Sequence, residues 1–198
     1  MMTHAEKCQR YIDDVLAGNV LVSKLTRQSC QRQVNDLGRV GDDEFPYFFD
    51  DSRANRICLF IEGLTHIKGK WAGTPIRLED WQCFILAVAF GWVDEEGLRR
   101  FRTTYCEVPR KNAKSTLTSG VGLYMLAADG EGGAECFAAA NSRDQAKLVW
   151  NDAWRMAKRS RWLQGKRYGV EVTAKSIYVE NTASMFQPLS AEGNNLDG

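Results

Sequence analysis

Residues Phe101 to Thr116 read FRTTYCEVPRKNAKST, and LTSGVGLYMLAA follows directly. β-Branched and aromatic residues through Val108 favour a strand. Ser115 to Ala128 carries the apolar spacing of a helix. Only the residues from Pro109 to Lys114 remain to turn one element into the other. A strand feeding a helix through a tight, basic turn is the first half of a strand–helix–strand unit, and that restricts the chain to folds with parallel pairing.

The rest of the chain fits this constraint. Ala134 to Ala140 (AECFAAA) reads as a buried strand. Ser142-Arg143-Asp144-Gln145 is a capping box that opens a helix to about Ser160, with Ala146, Val149, Ala153 and Met156 facing inward. Short strands are predicted at Val170–Val172, Ile177–Val179 and Met185–Leu189. Upstream, Thr3-His4-Ala5-Glu6 opens a helix that Gly18 ends. A second helical pattern runs from about Val20 to Leu37, with Leu21, Leu25 and Val34 on related faces. Ala54, Ile57, Cys58 and Ile61 mark a third helix, and Leu78 to Phe90 a fourth, closed by Gly91. GDDEFPYFFDD and HIKGKWAGTP are connections. The expected organisation is a helical leader over 1–97 and an α/β domain with a parallel-sheet core over 98–198.

Composition narrows the function classes. A net charge of +1 gives no global attraction to polyanions, so any such contact must come from local clusters. No apolar run approaches the roughly 20 residues that span a bilayer, and MMTHAEKCQR has no signal-type apolar core. Six scattered cysteines without a C-x-x-C pair, and two histidines, argue against zinc and fit reduced thiols in a cytoplasm.

The turn itself poses the functional question. A phosphate cradle needs inward-pointing backbone amides, a helix that starts at the phosphate, a Lys for the β/γ-phosphates and a hydroxyl for Mg²⁺. Arg110 to Ala113 would form the turn, Lys114 would meet the phosphates, and Ser115 would hold the metal. Both glycines of the common G-x-x-x-x-G-K-[ST] pattern are absent: Pro109 is near the first position and Ala113 holds the second. The turn must therefore accept a strained non-glycine residue or bend differently. Arg110 and Lys111 add positive charge in compensation. A basic turn that merely caps a helix explains the same residues. One helix upstream, Trp81 and Gln82 are an aromatic and an amide suited to adenine, since Gln offers both a donor and an acceptor; an ordinary helix-face glutamine is the alternative.

The blocks GKWAGTPIRLEDWQCF, FGW, RRFRTTYCEVPRKNAKST and GLYMLAADGEGGAECFAAANSRDQAKLVW occur in that order. Together they resemble the large terminase subunit of tailed bacteriophages, the ATPase that packages DNA into procapsids. The resemblance covers nearly the whole chain from Tyr11. It implies a RecA-like P-loop NTPase domain, incomplete and with a parallel-sheet core, preceded by a helical leader. It makes Arg110, Lys111, Asn112, Ala113, Lys114, Ser115 and Thr116 the Walker A element, with Lys114 and Arg110 in catalysis and Ser115 on Mg²⁺. Gln82, with Trp81, becomes the adenine contact. ATP and Mg²⁺ are the implied cofactors. Double-stranded DNA, the portal protein and the small terminase subunit are the implied partners of a homo-oligomeric ring in the host cytoplasm, with no membrane. The helix from Ser142 would relay nucleotide state. In the family a segment like LSAEGNNLDG precedes Walker B. The chain is therefore expected to stop about one strand short, to lack the nuclease domain, and to hydrolyse ATP poorly or not at all. A helicase-like P-loop ATPase and a non-catalytic assembly or DNA-docking remnant are the rival readings.

Other residues are open to two readings. Arg99, Arg100 and Arg102, and separately Lys158, Arg159, Arg161, Lys166 and Arg167, could touch phosphates or form solvated faces. Trp150, Trp154 and Trp162 have near-helical spacing and favour packing over base stacking. Ile177-Tyr178-Val179-Glu180 imitates a Walker B strand but continues with Asn181. His66 lies in a loop.

Overall fold

In the computed structural model, which describes residues 2–140 and 142–190, the Thr3–Glu6 tetrapeptide opens helix α1 (His4–Ala17) reciprocally. The Thr3 hydroxyl accepts the Glu6 amide at 3.1 Å, and the Glu6 carboxylate accepts the Thr3 amide at 2.6 Å. Gly18, left-handed at φ 85, closes the helix. The chain divides into two compact units, Met1–Leu59 with Arg77–Glu107 and Phe60–Ile76 with Val108–Gly198.

The first unit is mainly helical. It holds α1, α2 (Lys24–Leu37), most of α3 (Asp51–Glu62) and α4 (Asp80–Gly91), with a small antiparallel pair of β1 (Phe48–Phe49) and β2 (Trp92–Val93). Ile12, Val15, Ala54, Phe84 and Trp92 form its core. Helix α2 begins later than its apolar residues suggest. Ser23 caps it, accepting the Thr26 amide at 3.2 Å, and Leu21 is fully exposed. Leu25 and Val34 also face outward; the helix buries Cys30, Gln33 and Asp36 instead. Gln33 accepts the Trp92 indole N–H at 2.6 Å inside the core.

The second unit is α/β. Its elements are α5 (Lys114–Ala127), β3 (Glu135–Ala140), α6 (Arg143–Arg159), the short α7 (Arg161–Gln164), β4 (Val170–Val172), β5 (Ile177–Val179) and β6 (Ser184–Ser190). The sheet order is β3-β6-β5-β4. β3 and β6 run parallel, with α6, α7, β4 and β5 in the intervening chain. The other two pairings are antiparallel. The sheet is thus mixed, with the parallel β3–β6 pair at one side: the connections from β4 to β5 and from β5 to β6 are short turns, and a parallel return needs a crossover of a dozen residues or more.

The expected strand at Phe101–Val108 does not form. These residues have no ladder partner among the described residues, and Tyr105 is 83% exposed. β-Propensity expresses fit to a half-buried pleated surface, so it cannot make a strand of an unpaired segment. Farther along, a Cβ placed on Gly122 of α5 would approach the buried Phe186 ring of β6 to 2.7 Å. A side chain there would push helix from sheet, which is why TSGVG stands at this point.

Candidate functional site

The turn from Pro109 to Ala113 accepts the strained option. Lys111 has φ 72 and Ala113 has φ 54, ψ 21, both left-handed without being glycine. Each costs on the order of 1 kcal/mol. Ala113 occupies the position of the second glycine in the common pattern and serves as the N-cap of α5. Asn112 holds the bend, its side-chain amide donating to the Pro109 carbonyl at 3.3 Å and the Arg110 carbonyl at 3.5 Å. The Lys114 ammonium turns back into the curve and donates to the Val108 carbonyl.

The start of α5 differs from that of every other long helix. Thr3, Ser23, Asp50, Glu79 and Ser142 place an oxygen on the first-turn amides of α1, α2, α3, α4 and α6. No side chain does this for α5. Its first N–H groups, at the positive end of the helix dipole, thus take no side-chain acceptor from the described residues. Arg110, Lys111 and Lys114 are exposed around them, so the mouth of the turn carries three positive charges. The Ser115 hydroxyl is partly buried and has no hydrogen bond among the described residues. Thr116 is likewise partly buried. The Ser119 hydroxyl is fully buried, within 2.6 Å of the Ser115 carbonyl and 2.8 Å of the Val149 carbonyl, linking the first turns of α5 to α6. An anion with several oxygens, charge-matched and seated on the α5 amides, is what this arrangement can hold. The Ser115 hydroxyl would suit a divalent cation carried on such an anion, with the Lys114 ammonium meeting the anion itself; among the described residues no group of three or more His, Cys, Asp or Glu could hold a metal ion.

Trp81 and Gln82 belong to the other compact unit. Gln82 is buried, and its Oε1 accepts the Glu79 amide at 3.0 Å, completing a capping box in which Glu79 is the N-cap. The sequence reading missed this role because Glu seldom serves as an N-cap. Gln82 also carries two amide hydrogens and a second lone pair that this capping bond does not use. Trp81 is half-buried.

The remaining candidates separate cleanly. Arg100 is not a solvated phosphate contact: it pairs with buried Asp36 at 2.7 Å, among the rings of Phe45, Trp92 and Phe101. Trp150, Trp154 and Trp162 each donate to a backbone carbonyl, of Phe186, Thr173 and Gly63, as packing residues do. Glu180 opens an exposed 3₁₀ turn after β5. The His66 backbone pairs with Thr74 and Gly73 within its loop. No cysteine is in a disulfide; burial pushes the Cys8 thiol up to about 12 and those of Cys30 and Cys136 to about 11, so these three are inert at neutral pH. No helix among the described residues is long and apolar enough to cross a membrane.

Strain at Ala113 gives a direct expectation. Ala113→Gly should stabilise the second unit by about 1 kcal/mol, because glycine adopts positive φ without steric cost. Ala113→Val should destabilise it, since a β-branched residue is a severe outlier there. Thermal melts of the two variants give opposite signs if the turn has this geometry.

An uncapped helix start behind a left-handed, cationic turn, set in an α/β unit, is an arrangement suited to a phosphate-like anion. The family model for the terminase large subunit ATPase domain matches residues 80–198. The chain belongs to that family. The crystal structure of the HK97 bacteriophage large terminase is similar, with a TM-score of 0.60 and 25% sequence identity over 74% of this chain. The chain spans 29% of the length of that terminase. No curated protein matches the chain.

Proposed function

We propose that Arg110 to Thr116 bind the triphosphate of ATP with Mg²⁺, and that the chain is the nucleotide-binding part of a DNA-packaging motor. One observation carries this reading: α5 starts without a capping side chain, behind a residue held left-handed at the second-glycine position. Lys114 neutralises the β/γ-phosphates, Ser115 holds Mg²⁺, and Arg110 and Lys111 meet the γ-phosphate. Asn112 and Ala113 shape the turn and Thr116 extends the first turn of the helix. Gln82 and Trp81 are the proposed adenine contacts. Magnesium supplies charge neutralisation at the phosphates when bound. Residues 1–97 act as the leader with the adenine segment, and 98–198 begin the ATPase domain. Double-stranded DNA, a portal protein and a small terminase subunit are the proposed partners of a homo-oligomeric ring in the cytoplasm of a bacterial host. The Ser119 link supports α6 as the element that senses nucleotide state.

Binding with slow turnover by this chain alone is part of the proposal. Calorimetric titration with ATP, ADP, AMP and GTP in magnesium tests the reading. Affinity should fall from ATP through ADP and be lost with AMP, because the turn recognises β- and γ-phosphates. GTP should bind more weakly than ATP if Gln82 reads the base. AMP binding as tightly as ATP would contradict the proposal.

A further inference from the structure

We propose that the cationic end of the second unit, from Arg155 to Arg167, docks the phosphate backbone of duplex DNA. It rests on the proposed function only in choosing DNA over another polyanion. Arg155, Lys158, Arg159, Arg161, Lys166 and Arg167 are all exposed, and no Asp or Glu occurs between Ala153 and Val170. The whole chain carries only +1, so the charge is concentrated here.

The fold gathers these cations at one end. Arg155, Lys158 and Arg159 share a face of α6 by their i, i+3, i+4 spacing. Gln164 then donates to the carbonyls of Ala157 at 2.8 Å and Lys158 at 3.0 Å. That bond pair folds α7 back on the α6 terminus and brings Arg161, Lys166 and Arg167 to it. Of the flanking acids, Asp152 is buried and neutralised by Lys68 at 2.5 Å, while Glu171 keeps its charge, one acid against six cations, and accepts the Tyr178 hydroxyl at 2.5 Å.

The aromatic residues decide what kind of nucleic acid fits. Lys158 covers the Trp154 ring at 4.5 Å and Arg167 covers Tyr168 at 5.2 Å. Trp162 packs edge-on against Phe60 and Tyr168. Single-strand binders need open rings on which bases stack; here Trp154 and Tyr168 each carry a cation over the ring, and Trp162, 36% exposed, is fixed by its edge-on packing and its bond to the Gly63 carbonyl. Exposed cations without stacking platforms match a duplex, whose bases are already stacked and whose phosphates face outward.

The test is fluorescence anisotropy of a labelled duplex across a salt series with the full chain. Arg161→Glu/Lys166→Glu is compared with Lys24→Glu/Lys175→Glu, which changes net charge equally at exposed sites elsewhere. The first double variant should lose duplex affinity at least tenfold, with the slope of log K against log salt reduced by about 2. The second should change affinity less than threefold. Mg·ATP affinity should be unchanged in both, whereas Lys114→Ala should lose nucleotide and keep duplex binding, so the two readings fail separately. Equal losses in both doubles, absence of duplex binding by the wild-type chain at low salt, or tighter binding of single strand than duplex would overturn the proposal.

Discussion

Lys114→Ala is expected to weaken Mg·ATP binding about 100-fold, or about 2.8 kcal/mol. The ammonium is already directed into the curve, onto the Val108 carbonyl, so a bound triphosphate needs only a short swing to replace that acceptor. A charged hydrogen bond to phosphate is worth about 1.5–3 kcal/mol when its partner is left behind, and this lysine would make more than one. Folding should hardly respond, because Lys114 is exposed and its removal leaves no buried group unpaired. Titration of ATP into the variant, alongside a thermal melt, separates the two effects. Loss of affinity with an unchanged melt supports the assignment. Unchanged affinity would return the turn to the status of a basic helix entry.

The second large effect lies in the helical unit. Arg100→Ala should destabilise the protein by about 3–5 kcal/mol. Its guanidinium meets Asp36 at 2.7 Å, with side-chain exposures of 17% and 6%, and lies 4.8 Å from the ring centres of Phe45 and Phe101. The mutation strands a buried carboxylate whose other cation, Arg39, is 3.9 Å away. It also removes a flat cation from between aromatic faces, where each contact adds about 0.5–2 kcal/mol. Asp36→Ala/Arg100→Ala should cost clearly less than the sum of the single changes, since the pair is one unit. Urea unfolding gives all three values. A loss below about 1 kcal/mol for Arg100→Ala would mean that the pair is a solvated surface contact.

Arg100 also shows what a sequence can and cannot convey. In RRFR three arginines look alike, yet one is drawn inward by Asp36, 64 positions earlier, and that pairing has no local signature. The same limit explains the absent strand. Phe101 to Val108 has the right residues, but a strand exists only with a neighbour, and pairing is a long-range fact. Where the signal is local, the sequence spoke clearly. The Thr3–Glu6 box, the left-handed Gly18 and the β4 and β5 strands all appear as read, because each depends on residues within a few positions. Gln82 lies between these cases: its residue type pointed to base recognition, while its position three residues after Glu79 gave it a capping role. The turn from Pro109 to Ala113 was legible as a choice between strain and another bend. Ala113 and Lys111 resolve that choice toward strain, which only backbone coordinates could tell.

Amide chemical shifts of the labelled chain, followed as Mg·ATP is added, address the central assignment most directly. The largest changes should fall on the backbone N–H groups of Asn112, Ala113, Lys114, Ser115 and Thr116, and should saturate together with the binding isotherm. Shifts concentrated elsewhere, with these five amides still, would contradict a triphosphate seated at the start of α5.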